Sequence, residues 1–188
     1  MNSENAWVSV STPYLQPRTD GEQTAWAQEA AQHDQAGTQL LQEVAETLPS
    51  RAIAEALRVP SGEPVIVRRR MMLLDEQPVE LTNSYYPVAI ARGTRLSEHK
   101  KIRGGATTLL AELGHRIRHV EEDVSARLAT SDEQRLLGLD APEIVLVLTR
   151  TSKADDGTPV EVSVMTMLAA NRHLAYQLTI GGDDAAAE

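Results

Sequence analysis

Cysteine and phenylalanine are absent from this chain of 188 residues, and aromatic residues make up only 3% of it. Without cysteine, the chain can form no disulfide bond, no catalytic thiol and no thiolate metal site. Because aromatic residues are scarce, the core has to consist of leucine, isoleucine, valine, alanine and methionine. Residues 1–6 and 181–188 are expected to be disordered tails, so one domain spans residues 7–180.

Long apolar runs and a positive net charge are missing as well. The strongly apolar runs, such as residues 144–148, are too short to span a bilayer. The N-terminus lacks the basic start and the apolar stretch of a signal peptide. The net charge of -9 disfavours contact with nucleic-acid phosphates. We therefore expect a cytoplasmic protein that does not bind a membrane and does not bind DNA by itself.

The sequence also lacks recognisable catalytic and metal-binding motifs. Its five histidines show no metal-ligand spacing. His115 and His119 are four residues apart, but Gly114 and the strand pattern that follows argue against a shared helical face. We find no phosphate-binding glycine loop, no nucleophile elbow and no paired catalytic acids. We therefore expect no metal, no cofactor and no catalytic residues.

The remaining sequence carries strand, helix and turn signals. We predict strands over residues 7–15, 64–74, 79–86, 117–129, 143–152 and 159–168, and helices over residues 24–31, 50–58, 106–113 and 131–137. Ser50 is a typical N-cap, and Thr130 forms a capping box with Glu133. Residues 38–46 fit a strand and a helix equally well.

Two stretches, residues 55–80 and 135–161, repeat the same order of helix end, turn, apolar strand, acidic turn and second strand. The aligned positions include two arginines and two glutamates: Arg70 with Arg150, and Glu80 with Glu161. Chance rarely supplies this order twice with matched charged residues. We therefore predict an α+β fold whose central antiparallel sheet consists of two similar halves, with helices packed on one side of it.

Four segments together resemble the UTRA domain, the effector-binding half of HutC-type GntR transcription regulators. They are VIVRRRMMLLDEQPVELTNSYYP, LLAELGHRI, EEDVSARLATSDEQRLLGL and VLVLTRTSKADDGTPVEVSVM. They cover residues 59–168, and residues 7–58 fit the first strands and helix of that domain. The specificity of the resemblance comes from the order and spacing of the segments.

The resemblance implies a chorismate lyase-like fold with an internal duplication, a cleft for a metabolite and dimerisation through the sheet domain. In full regulators, DNA is bound by a winged helix-turn-helix module, which we do not find in this sequence. We therefore predict a small-molecule sensing domain that forms a homodimer and acts on DNA only through such a module. The alternative is a chorismate lyase-like enzyme acting on a small anionic metabolite, because the fold alone does not decide the chemistry.

Arg70 is the first candidate ligand residue. It stands at the start of a segment where sugar-phosphate-sensing members carry an Arg-x-Arg pair, a geometry suited to phosphate. Met72 occupies the position of the second arginine, which argues against a sugar phosphate. Arg68 and Arg70 share one strand face, so a displaced pair is an alternative. The run 68–70 is otherwise a solvated strand edge, or Arg70 makes a structural ion pair.

The second predicted hairpin supplies four more candidates on one strand face: Glu161, Ser163, Met165 and Met167. Glu161 matches the acidic residue that contacts ligand hydroxyls in sugar-sensing members. Met167 stands where some members carry a ligand-contacting tyrosine. We interpret this face as a cleft wall that is polar at one end and apolar at the other. The alternative is that the methionines belong to the core.

The first hairpin adds the hydroxyl-bearing candidates Thr82, Ser84 and Tyr85. Arg127 is a second candidate for anion binding, unless it pairs with an acidic neighbour on its own strand face. Gly104-Gly105 opens a helix whose free amides can hold a carboxylate or phosphate, although such a pair is more often only a turn.

These residues together predict the chemical class of the ligand. It is an anionic or amphipathic metabolite, larger and more apolar than a simple sugar phosphate. We expect it to bind between Arg70 and the face formed by residues 161–167.

Overall fold

The computed structural model describes residues 7–19, 21–170 and 172–177, and it has an α+β architecture. Its strands are β1 (Trp7–Ser9), β2 (Gly37–Thr47), β3 (Val65–Leu74), β4 (Gln77–Pro87), β5 (Ile117–Leu128), β6 (Ile144–Ala154), β7 (Pro159–Leu168) and β8 (Arg172–Leu174). Its helices are α1 (Thr12–Leu15), α2 (Ala25–Ala31), α3 (Arg51–Leu57), α4 (Val88–Ala91), α5 (Gly105–Glu112) and α6 (Ser131–Leu137), with a 3₁₀ turn at Arg95–Ser97. None of the described helices is long and apolar enough to cross a membrane.

Six strands form one sheet in the order β2-β3-β4-β7-β6-β5, and every neighbouring pair is antiparallel. β1 and β8 form a separate parallel pair. Residues 38–46, which fitted a strand and a helix equally well, belong to β2. Both predicted hairpins, β3–β4 and β6–β7, are confirmed.

The internal duplication is larger than the sequence repeat. The unit β2-α3-β3-β4 recurs as β5-α6-β6-β7, and the two units meet where β4 pairs with β7. In that pairing Asn83 lies opposite Val164, and Glu80 lies opposite Met167. This register is the one that a twofold axis between Asn83 and Val164 would produce. The aligned residues Arg70 and Arg150 are therefore brought to equivalent positions on the two sides of the sheet centre.

Local sequence signals explain why the duplicated helices begin and end where they do. The Ser50 hydroxyl accepts a hydrogen bond from the Ile53 amide, and Thr130 with Glu133 forms the predicted capping box. Gly138 closes α6 in the left-handed conformation, at a φ of 69°. That conformation carries no steric penalty for glycine.

Helices pack on both faces of the sheet, so the prediction that they lie on one side is wrong. On the face covered by α3 and α6, side chains from both helices join two apolar clusters with the strands. On the opposite face, α4 and α5 pack with Ile66 and Tyr86, and α2 packs with Met72. The central strands carry apolar side chains on both faces, which the sequence pattern shows, but the pattern does not show which helix covers which face.

The predicted strand over residues 7–15 is correct only at its start. β1 ends at Ser9, and Pro13 in the first turn of α1 suits a helix. The three-residue strand β8 was not predicted, because it is too short to show a periodic pattern. The tails predicted at residues 1–6 and 181–188 lie outside the described residues.

Candidate functional site

A cavity of about 340 Å³ lies on the sheet face that also carries α2, α4 and α5. Its floor consists of strand residues from both halves of the sheet: Gln39, Arg70, Met72, Glu80, Thr82, Ile117, Arg150, Ser152, Glu161, Ser163 and Met165. One wall is formed by residues 101–107, and the roof by residues of the N-terminal segment between Tyr14 and Trp26. The cavity therefore lies over the centre of the duplicated sheet.

Six of the ten residues predicted from the sequence line this cavity: Arg70, Met72, Thr82, Glu161, Ser163 and Met165. Ser84 is fully buried beside them, and its hydroxyl is 2.9 Å from an Arg70 Nη atom and 2.7 Å from the Ser163 hydroxyl. Met167 lines a smaller cavity of about 40 Å³, which shares Tyr14, Met72 and Met165 with the larger one.

The structure places the other two predicted residues elsewhere. Tyr85 lies on the opposite sheet face, where it packs against the α3 cluster of Ile53 and Leu57. Arg127 lies near the end of the edge strand β5 and donates two hydrogen bonds, of 2.6 and 2.7 Å, to the carboxylate of Glu133. This ion pair is the alternative to ligand contact, although its acidic partner comes from α6 and not from the same strand.

Arg70 is a cation without an acidic partner among the residues that the structure describes. One of its Nη atoms donates to Ser84, whereas its buried Nε has no hydrogen-bond partner. Within the described part of the chain, no carboxylate makes an ion pair with it. The hydroxyl chain beside it continues to Glu161, because Ser163 donates to that carboxylate over 2.5 Å. Arg70 thus retains unused hydrogen-bonding capacity at the cavity floor.

Arg150 is the repeat equivalent of Arg70, but its charge is neutralised. Its Nε lies 2.6 Å from a Glu122 carboxylate oxygen, and an Nη donates to Ser11 over 2.9 Å. The arginine and glutamate side chains are only 11% and 10% exposed. Burial works against ionisation of Glu122, but the hydrogen bond from Ser11 and the charge of Arg150 outweigh it and lower the pKa of this carboxyl.

Strand register explains the difference between the two arginines. β5 places Glu122 opposite Arg150, whereas β2 places Leu41 opposite Arg70. The duplicated sheet therefore presents two arginines at equivalent places, with an acidic neighbour on the outer strand of only one half.

Sequence reasoning used one member of each aligned pair and missed the other. Arg150 and Glu80 both line the cavity, and the repeat already aligned them with Arg70 and Glu161. The sequence repeat therefore already indicated Arg150 and Glu80 as site residues, because the duplication of an antiparallel sheet brings equivalent residues to its centre.

The wall includes the Gly104-Gly105 pair, which opens α5 and does line the cavity. Gly104 has a φ of 73°, and a Cβ there would lie 3.1 Å from Thr108, so the turn favours glycine. Thr107 donates from its hydroxyl to the carbonyl of Tyr14 over 3.2 Å, which ties the start of α5 to the roof. Whether the helix amides bind an anion stays a prediction.

The roof is held by a buried carboxylate, Glu29. It accepts hydrogen bonds from Trp7, from Ser9 over 2.6 Å and from the Tyr14 hydroxyl over 2.7 Å. Arg172 of β8 lies 3.7 Å from the same carboxylate. Burial, together with the neighbouring Glu29 charge, raises the pKa of Tyr14, so this phenol stays a proton donor.

The three consecutive arginines of β3 have three different environments. Arg69 is on the surface and forms an ion pair with Glu43 over 2.7 Å. Arg70 faces the cavity, as described above. Arg68 is only 4% exposed and donates to backbone carbonyls of the segment 95–100. Burial lowers the pKa of Arg68. Arg68 and Arg70 therefore do share a face, but only Arg70 lines the cavity.

The arrangement can bind a small molecule through polar and apolar contacts, and the carboxylates Glu80 and Glu161 line the cavity beside the cation. Arg70 supplies a cation, Thr82 and Ser163 supply hydroxyl groups, and methionines with Trp26 supply apolar surface. Among the described residues, no cluster of three or more His, Cys, Asp or Glu side chains could hold a metal ion.

A model of the UTRA domain family matches residues 31–172 of the chain. An uncharacterised HTH-type transcriptional regulator of Streptomyces coelicolor is 35% identical over 126 residues, which is 65% of this chain and 47% of that protein. A second uncharacterised HTH-type transcriptional regulator, from Rhizobium meliloti, is 36% identical over 138 residues, or 72% of this chain and 54% of that protein. The chain therefore spans about half the length of the curated relatives it matches.

The fold has solved counterparts. The effector domain of PhnF from Mycobacterium smegmatis matches with a TM-score of 0.70 and 19% identity, over 88% of this chain and 99% of that one. At this level of identity, the similarity shows the fold alone.

Proposed function

This chain belongs to the UTRA domain family of regulator effector domains, and we propose that its cavity binds a small anionic effector at Arg70. The observation that carries the proposal is the difference between the two repeat-equivalent arginines. Arg150 is neutralised by Glu122, whereas the Nε of Arg70 is buried without a partner and no carboxylate in the described part of the chain pairs with it. Leaving a buried donor unsatisfied is costly, and an anionic ligand group would satisfy it.

The rest of the cavity supports a ligand with an apolar part. Met72 and Met165 line both the main cavity and the smaller one beside it, and Met167 lines the smaller one. Soft, unbranched side chains of this kind accommodate apolar groups of irregular shape. The volume of about 340 Å³ falls at the lower end of the range for small-molecule sites. We therefore propose an amphipathic acid, larger and more apolar than a simple sugar phosphate.

We propose that the cavity binds its ligand and does not transform it. The support is that the matched relatives are transcriptional regulators by name. A regulator's ligand acts by shifting the balance between conformations, and this requires differential affinity but no reaction. In the proposed whole protein, the sensing domain would act on DNA through a helix-turn-helix module, and the protein would work in the cytoplasm.

We further propose that the chain forms a homodimer through the edge strand β5. Three exposed apolar side chains lie together on this edge: Leu128 is 61% exposed, its neighbour on β6, Ile144, 57%, and Val124 44%. If β5 pairs with its copy in antiparallel fashion about Val124, Glu121 of one chain would lie opposite Arg127 of the other. Each of these two residues already has a partner within its own chain, Glu133 for Arg127 and Lys153 for Glu121, but their opposite charges facing each other still favour a second copy as the partner of the exposed strand.

The effector proposal is tested by equilibrium titration. We would titrate the protein with hexosamine phosphates and with a panel of apolar carboxylates and aromatic acids, and follow binding by calorimetry and by the fluorescence of Trp7 and Trp26. A ligand from the second group should bind, Arg70→Ala should weaken it at least about tenfold, and Arg69→Ala on the same strand should not. Met167→Tyr should alter the ligand preference.

The opposite result is equally clear. Tight binding of a hexosamine phosphate that is undisturbed by Arg70→Ala would show that both the effector class and the site are misassigned. Recovery of the bound ligand in chemically altered form would show that the chain is an enzyme.

A further inference from the structure

Arg68 is a buried cation whose hydrogen bonds all go to one segment of backbone. One Nη donates to the carbonyls of Arg95 over 3.4 Å, Leu96 over 3.0 Å and Glu98 over 2.8 Å. The other Nη donates to the carbonyl of Lys100 over 2.7 Å. Within the described residues no carboxylate pairs with this guanidinium. The Arg68 side chain therefore holds the backbone of this segment in place by hydrogen bonds and does not serve as half of an ion pair.

The segment that Arg68 holds has little regular structure of its own. Apart from the 3₁₀ turn at Arg95–Ser97, residues 92–104 form no helix or strand. A second, longer contact of 3.4 Å joins His99 to the carbonyl of Gln42. Local turns define parts of this backbone, and fully buried Leu96 anchors it in the core. Because no helix or strand runs through the whole segment, its position also depends on tertiary hydrogen bonds.

This segment leads directly into the cavity wall. Residues 101–107 line the cavity, with Ile102 anchored in the core and Gly104-Gly105 opening α5. Arg68 lies on β3 two residues before Arg70, so both side chains point to the same sheet face. The strand that carries the ligand-facing arginine thus also carries the residue that holds the wall opposite it.

We propose that Arg68 is a positioning residue: by holding the backbone of residues 95–100, it fixes the following cavity wall, residues 101–107, at the distance from Arg70 that an anionic ligand requires. The inference rests on the proposed binding of an anion at Arg70. A planar guanidinium can serve several carbonyls at once in a fixed geometry, whereas the compact ammonium of lysine cannot reproduce this pattern. Arg68 then affects affinity without touching the ligand.

The test compares Arg68→Met and Arg68→Lys with Arg69→Met, which removes a neighbouring arginine from the surface side of the strand. Inorganic phosphate is the probe, titrated by calorimetry well below the melting temperature of each variant. Hydrogen exchange of the backbone amides is measured in parallel. Both Arg68 variants should lose at least about tenfold in phosphate affinity. Their loss of protection should be concentrated in residues 95–105. Arg69→Met should match the wild type in both measurements.

A purely structural role predicts a different result: a lower melting temperature with normal phosphate affinity and a loss of protection spread over the domain. That result in the folded Arg68 variants would overturn the proposal. If Arg68→Met does not fold, Arg68→Lys decides between the two. If the wild type does not bind phosphate, the same affinity comparison is made with the apolar carboxylates of the effector panel, and failure of every anion tested would show that the anion site at Arg70 is wrong. Exchange in residues 95–105 still decides whether Arg68 positions the wall, since unchanged protection would refute it.

Discussion

Replacing each of the two repeat-equivalent arginines by methionine should have opposite consequences. Arg70→Met removes a cation that has no acidic partner, so stability should change by less than about 1 kcal/mol. Arg150→Met leaves the Glu122 carboxylate, whose side chain is 10% exposed, without its cation. Removing one partner of a buried pair typically costs about 3–5 kcal/mol. Since Ser11 still donates to Glu122, we expect the lower end of that range.

The binding effects should be reversed. An anion bound at Arg70 gains a charge-assisted hydrogen bond worth about 1.5–3 kcal/mol, so Arg70→Met should weaken phosphate binding by about 10- to 150-fold. Arg150→Met should weaken it much less, because the Arg150 charge is already compensated by Glu122.

Urea and thermal unfolding, both followed by tryptophan fluorescence, measure the free energy of unfolding and the melting temperature of each variant, and calorimetric titration with inorganic phosphate measures the affinity. Arg150→Met should lower the melting temperature by roughly 6–12 °C, given about 2–4 °C for each kcal/mol in a domain of this size. Equal loss of phosphate affinity in the two variants would refute the reasoning. So would a large loss of stability in Arg70→Met.

Three further outcomes are expected. Light scattering should report twice the 20.5 kDa of one chain. Val124→Asp should shift it towards the monomer, and the control Leu48→Asp, at an even more exposed apolar position by the opposite sheet edge, should not; a wild-type monomer at high micromolar concentration would contradict the dimer. The isolated chain should not bind duplex DNA, given its net charge of -9, and a salt-sensitive gel shift at micromolar protein would disprove this. Hydrogen bonds from Arg127 lower the pKa of Glu133 to about 2, from an ordinary value of 4.5. The stability it contributes is thus complete above pH 4.5 and is lost as the pH falls towards 2. Glu133→Gln should cost about 1–3 kcal/mol at pH 7 and almost nothing near pH 2, and a pH-independent difference in unfolding free energy would contradict this assignment.

Much of the fold could be predicted because its signals are local. The capping box at Thr130 and the alternation in the two hairpins depend only on neighbouring residues, and the structure confirms them. The duplication was also visible, although its outer strands β2 and β5 were not matched in sequence. The two outer strands differ in sequence at the position that faces the repeat-equivalent arginine: Leu41 of β2 lies opposite Arg70, and Glu122 of β5 lies opposite Arg150.

The parts that were not predicted have different origins. Arg127 pairs with Glu133 only six residues away, but this pair depends on how α6 packs against the end of β5. Tyr85 follows Ser84 on its strand, so strand alternation places it on the opposite face, against the α3 cluster. The roof, in contrast, depends on contacts between residues far apart in the chain. The cavity roof is formed by a polar stretch around Trp26 whose sequence has weak periodicity. The indole N–H of Trp26 donates a hydrogen bond to the carbonyl of Leu73 in β3. No local pattern reveals such a bond, so the sequence indicated the cavity floor better than its roof.

The central claim is that an anion binds at Arg70 in the cavity above the centre of the duplicated sheet. It is tested most directly by anomalous diffraction from crystals soaked in tungstate, a heavy-atom analogue of phosphate. The account predicts a peak within the cavity, with an oxygen about 3 Å from the Nε or Nη atoms of Arg70 and the metal centre lost in Arg70→Met crystals. A cavity without a peak, or a peak that persists unchanged in Arg70→Met, would contradict it.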